Sequence, residues 1–114
     1  MATKTKKRFG SLVCEKRTAK GISLWKFAEM VGVSETYLSQ VEQGNCDLPT
    51  AERVRRMAEI LGENSDELTS LAGRVPDDLH KLLGKHPASI TAFIREASEL
   101  TPAQLQSLRS KRGV

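Results

Sequence analysis

Aromatic side chains are scarce in this sequence, one Trp, one Tyr and three Phe among 114 residues, so a core has to be built mainly from aliphatic groups. Cysteine is scarce too. Cys14 and Cys46 form no CxxC pair and have only the distant His80 and His86 as companions, which argues against both a disulfide framework and a metal site. Two free thiols and no metal are expected. No apolar run approaches the ~20 residues that cross a bilayer. MATKTKKRFG at the start carries positive charge with no hydrophobic stretch behind it to act as a signal peptide, so a cytoplasmic protein without membrane contact is expected. Catalytic groupings are also missing: there are no paired carboxylates, no nucleophile beside a base and no glycine-rich phosphate loop. Tyr37, Ser39 and Glu42 lie close in sequence but have no general base among them. Neither an enzyme nor a cofactor is expected.

Charge is plentiful but unevenly placed. The net charge is +4, yet residues 1 to 21 hold seven Lys or Arg against one Glu, and residues 109 to 114 add Arg109, Lys111 and Arg112. The middle, residues 22 to 108, carries eight basic and thirteen acidic side chains. Cationic ends suit a polyanionic partner, but basic ends also serve solubility, so charge alone does not decide between the two.

The stretch Ser23 to Gly44, SLWKFAEMVGVSETYLSQVEQG, is more specific. Leu24, Phe27, Ala28 and Val31 fall on one stripe of a helix behind Ser23 as N-cap, and Gly32 stands where a left-handed stop is needed. Ser34 caps a second helix. There Leu38 and Val41 continue an apolar stripe begun by Val33, while Glu35, Thr36, Ser39, Gln40 and Gln43 form an opposite face made of hydrogen-bonding groups.

Together the two helices resemble the helix-turn-helix of the Cro/cI-like (XRE) family of bacterial and phage DNA-binding regulators. The residues that carry the likeness are Ala28 at the close crossing, Gly32 in the turn, Leu38 and Val41 as core anchors, and the string YLSQVEQG from Tyr37 to Gly44. The resemblance implies an all-α fold, with Phe9 to Leu61 following the family's five-helix layout. It also implies an ion pair between Arg17 in the first helix and Glu42 near the end of the reading helix. Two positions depart from the family. Leu24 stands where many members hold a DNA phosphate with glutamine, which leaves that role to Ser23, Trp25 and Lys26. Glu35 replaces a frequent glutamine, and its carboxylate repels phosphate but accepts from cytosine N4.

A helix entering the major groove presents its first turn and the positions one turn later, so Glu35, Thr36, Ser39 and Gln40 are the expected base-reading set. Tyr37, Gln43 and Asn45 at its margin are expected on phosphate. So are Lys4, Lys6, Lys7 and Arg8 in residues 1–8, a basic arm too polar to pack and expected to be mobile in the free protein. A first helix is expected from about Arg8 to Ala19, with Phe9, Leu12 and Val13 inward. Following GNCDLP, a linker expected along phosphate, Thr50 and Asn64 cap two further helices that end at Gly62 and Gly73, closing a DNA-binding domain over residues 9–73. Arg53, Arg55 and Arg56 read as a solvated face.

Residues 74–114 form a tail of three short amphipathic segments. Pro76 opens the first, Gly84 and Pro87 close it, and Thr101 to Gln104 is a capping box for the last. Leu79, Leu83, Ile90, Phe93 and Ile94 form apolar stripes that so small a helix set only partly covers, and they are expected to make a homodimer interface. The function expected is a dimeric repressor on a palindromic double-stranded operator. The alternative is an antitoxin-like or adaptor protein whose tail binds a different polypeptide, with DNA binding for autoregulation.

Overall fold

A computed structural model describes residues 4–112. The helices in order are α1 (Lys4–Ala19), α2 (Leu24–Val31), α3 (Glu35–Gln43), α4 (Ala51–Leu61), α5 (Ser65–Leu71), α6 (Asp77–Lys85), α7 (Pro87–Ala97) and α8 (Pro102–Arg112). No strand occurs among the described residues, and the fold is all-α as expected. The chain divides into two compact units, the first ending at Asp77 and the second beginning at Asp78.

In the first unit the caps fall where the sequence places them. Ser23 Oγ accepts from Lys26 N at 3.0 Å and Ser34 Oγ from Tyr37 N at 3.0 Å, each satisfying an orphan donor of a helix start. Gly32 sits at φ 88° and returns its N–H to Ala28 O. A side chain there would be strained, so this glycine fixes the short turn that sets α3 across α2.

The core is aliphatic with two rings in it. Phe9, Val13, Phe27, Leu38, Val54 and Met57 are fully buried, joined by Ala28, Val41, Ala58, Leu61, Leu68 and Ala72. Burial of each large side chain here is worth roughly 1.5–3 kcal/mol, so the core supplies the free energy that holds short helices that would be marginal alone. Gly10 is buried at the crossing of α1 and α3. A Cβ on it would meet Val41 O at 2.4 Å and Glu42 O at 2.5 Å, so the absence of a side chain lets α1 lie directly on the last turn of α3. Arg74, just beyond α5, donates from Nη2 to Leu48 O at 2.8 Å and from Nε to Pro49 O at 3.1 Å, fixing the connection between α3 and α4.

Two local expectations are corrected. The first helix begins at Lys4, not near Arg8, so residues 4 to 8 are helix and not a free arm. The reason is contact with the segment after α3: Lys6 Nζ lies 3.2 Å from Asp47 Oδ1, and the backbone of Gly44 sits against Lys7. Met1, Ala2 and Thr3 lie outside the described residues. Gly84 does not end α6, which runs on to Lys85 before Pro87 opens α7. In the second unit, Thr101 and Gln104 make the expected reciprocal capping box, Gln104 N to Thr101 Oγ1 at 3.1 Å and Thr101 N to Gln104 Oε1 at 2.8 Å.

Gly10→Ala forces a methyl into backbone atoms that cannot retreat without moving α3. It is expected to cost about 1–3 kcal/mol in urea unfolding. Ser11→Ala, on the exposed face one residue along, should stay within about 0.5 kcal/mol.

Candidate nucleic-acid interface

The exposed face of α3 is placed by what anchors its other side. Arg17 of α1 grips Glu42 through two bonds, Nε to Oε2 at 2.7 Å and Nη2 to Oε1 at 3.0 Å, and its Nη1 donates to Ile22 O at 2.8 Å. The side chains are only 12% and 8% exposed. The hydrogen bond to Glu42 raises the Arg17 guanidinium above its already high value, against the opposing effect of burial, so Arg17 stays charged. Cys14 Sγ lies 3.8 Å from Nη2, which gives this half-buried thiol a weak acceptor role; both cysteines are free. Partial burial likewise pushes the Cys46 thiol up and keeps it protonated near neutrality.

On the opposite side, Glu35, Thr36 and Gln40 are exposed and Ser39 is half-buried. The outward face is internally organised. Gln43 Nε2 donates to Ser39 Oγ at 3.1 Å, and Asn45 Nδ2 donates to Gln43 Oε1 at 3.1 Å. Accepting from Gln43 uses one lone pair of the Ser39 hydroxyl and leaves its O–H available as a donor. Adenine N7, guanine N7 and O6, and thymine O4 are the base-edge groups that match it.

Around this face the other expected contact residues are only partly brought together. Ser23 is exposed, but its hydroxyl oxygen is engaged as the α2 cap. Lys26 Nζ bonds Glu29 Oε1 at 3.0 Å, while Trp25 is 59% exposed with its ring in solvent. Lys4, Lys7 and Arg8 are exposed and line a shallow hollow on α1 with Ser11 and Glu15, and Lys6 is paired with Asp47. Tyr37 is half-buried, and the Arg53 guanidinium lies 5.2 Å from its ring centroid. Arg53, Gly10 and Arg74 were not singled out by sequence. Gly10 gave no local signal, because its close neighbours Val41 and Glu42 lie on another helix, and Arg53 read only as part of the solvated face of α4.

The second unit presents a different surface. Of the expected dimer residues, Leu79, Phe93 and Ile94 are exposed and Leu83 and Ile90 are half-buried. Phe93 is 61% exposed, whereas Phe9 and Phe27 are at 0%, and Leu82, Leu105 and Leu108 are exposed with it. No group of His, Cys, Asp or Glu among the described residues is arranged to hold a metal ion. No helix among them is long and apolar enough to cross a membrane.

A capped helix seated across a second helix, with its core side anchored and its polar side in solvent, defines a helix-turn-helix module. Residues 15–68 match the helix-turn-helix (HTH_3) family model. No curated protein matches the chain by sequence. Among solved structures the chain is similar to the restriction-modification controller protein C.AhdI from Aeromonas hydrophila, at 31% identity, covering 54% of this chain and 88% of that one, with a TM-score of 0.50. It is also similar to the clp gene regulator ClgR from C. glutamicum, at 25% identity, covering 62% of this chain and 91% of that one, with a TM-score of 0.53. A SinR protein/SinI protein complex shares the fold over 92% of this chain and 94% of that one, at 22% identity and a TM-score of 0.50. The chain belongs to the XRE-type helix-turn-helix family of DNA-binding regulators.

Removing one member of the Arg17–Glu42 pair leaves a largely desolvated charge. Arg17→Met is expected to lower stability by roughly 2–4 kcal/mol, a little below the range for a fully buried pair because one edge remains wet. Arg17→Met combined with Glu42→Leu should recover most of that loss. Urea denaturation of the wild type, both single variants and the double variant completes the cycle.

Proposed function

We propose that the protein is a sequence-specific regulator that binds double-stranded DNA as a dimer on a palindromic operator and acts as a repressor. The observation that carries the reading is the rigidly anchored α3, with Glu35, Thr36 and Gln40 exposed along one side. In a major groove, Gln40 pairs with adenine N6 and N7, Thr36 packs on a thymine methyl or bonds a base, and Glu35 accepts from cytosine N4. Ser39 donates to a base acceptor. Gln43, Asn45, Lys4, Lys7 and Arg8 take phosphate, which sets register and supplies salt-dependent affinity without reading sequence. Ser23, Trp25, Lys26 and Lys6 complete the phosphate side of this reading.

Dimerisation is supported by the exposed apolar groups of α6 to α8, since a Phe93 in solvent is an unusual use of one of only three phenylalanines. A two-fold dimer sets its reading helices about 34 Å apart on successive major grooves. Occupying a promoter is enough to block it, so repression is the simplest output of such a dimer.

Two measurements test the reading. Gln40→Ala should cost about 1–3 kcal/mol on a matched operator and relax choice at one position per half-site, with little loss on random duplex. Gln43→Ala should weaken matched and random duplexes alike; a Gln40→Ala loss equal on every sequence puts the wrong face in the groove. For assembly, the wild type should sediment as a dimer at micromolar concentration, and Phe93→Asp should sediment as a monomer with weaker operator binding. A wild-type monomer that also occupies its site as one copy contradicts the dimer and leaves the α6 to α8 surface to a different polypeptide.

A further inference from the structure

The three arginines of α4 are not equivalent. Arg55 is tied on both sides, Nη2 to Glu52 at 2.8 Å and Nη1 to Glu59 at 3.1 Å, and these carboxylates hold its guanidinium above its usual value. Arg56 donates from Nε to Met30 O at 3.3 Å. Arg53 alone of the three has neither an ion pair nor a side-chain hydrogen bond among the described residues; what it has is the Tyr37 ring, 5.2 Å from its central carbon. A guanidinium resting on a ring is held through its face, while its N–H donors point outward in the guanidinium plane and remain available. Tyr37 belongs to the first turn of α3, between Thr36 and Leu38, so the free donors are carried at the shoulder of the reading helix.

We infer that Arg53 is a DNA phosphate contact and that Tyr37 is its positioning residue, the ring fixing the guanidinium at the edge of the groove that α3 enters. The inference rests on the DNA-reading assignment of α3 and gives Tyr37 a different job from a direct phosphate ligand. Stacking restricts the Arg53 side chain before DNA arrives, so less rotamer freedom is lost on binding than for a lysine in open solvent. A planar fork also matches the geometry of phosphate oxygens. Because the contact is to backbone, it adds affinity to every duplex and no sequence preference.

The test is salt-dependent binding of a selected operator and of a random duplex by the full chain. Arg53→Ala should weaken both duplexes by the same factor and make the slope of log affinity against log salt shallower by about 0.9 for each protomer bound. Arg55→Ala should leave the slope unchanged. Tyr37→Phe keeps the ring and should keep the wild-type slope. Tyr37→Leu should reproduce the Arg53→Ala slope, and joining the two changes should lose nothing further. A wild-type slope in Arg53→Ala overturns the contact. A Tyr37→Phe slope as shallow as that of Tyr37→Leu overturns the positioning role, because the hydroxyl then binds phosphate directly. A wild type with no preference for any duplex overturns the DNA-reading assignment and this contact with it; the wild-type arm therefore separates failure of the reading from failure of the Arg53 contact.

Discussion

Seating α3 on α1 is the constraint on which the rest of the DNA-binding unit depends. Two features enforce it from opposite chemical directions. Gly10 removes a side chain so that backbone meets backbone at Val41 and Glu42, and Arg17 supplies a charged fork that closes on Glu42 and on Ile22 O. The first sets how near the helices lie, and the second opposes rotation of α3 about its own axis. A rotation of one residue, about 100° on a helix, would carry Gln40 away from solvent and bring Leu38 out. The ion pair is therefore better understood as fixing orientation than as a large source of stability, since desolvation of both groups offsets much of their attraction.

The remaining contacts extend that constraint outward. Arg74 ties down Leu48 and Pro49 carbonyls, Lys6 meets Asp47, and Lys7 lies against Gly44, so the segment following α3 is held from two sides. On the exposed side of α3, hydrogen bonds join Asn45 to Gln43 and Gln43 to Ser39 in one run. Rigid placement matters here because direct readout depends on donors and acceptors meeting base edges at hydrogen-bond distance.

Much of this was legible in the sequence where the signal is local. Ser23, Ser34, Thr50 and Asn64 cap their helices, and glycines at 32, 62 and 73 take positive φ, because caps and stops are decided by a few neighbouring residues. The Arg17–Glu42 pair came from family likeness and not from spacing, since the partners lie 25 residues apart. What the sequence hid is what tertiary contact decides. A run of cations from Lys4 to Arg8 reads as a mobile arm until Asp47 and Gly44 are placed beside it. Gly10 has no local signature, and Arg53 looks like its solvated neighbours until Tyr37 is found beneath it. Gly84 failed as a stop because glycine permits a left-handed turn without requiring one.

The central claim is that α3 reads duplex sequence from two protomers at once, and selection of bound duplexes from a random pool by the wild-type chain tests it most directly. The account predicts enrichment of a palindromic consensus whose half-sites are centred about one helical turn, roughly 34 Å, apart or a multiple of that spacing. A pool that returns no consensus after repeated rounds, with retention that depends on salt alone, would contradict it.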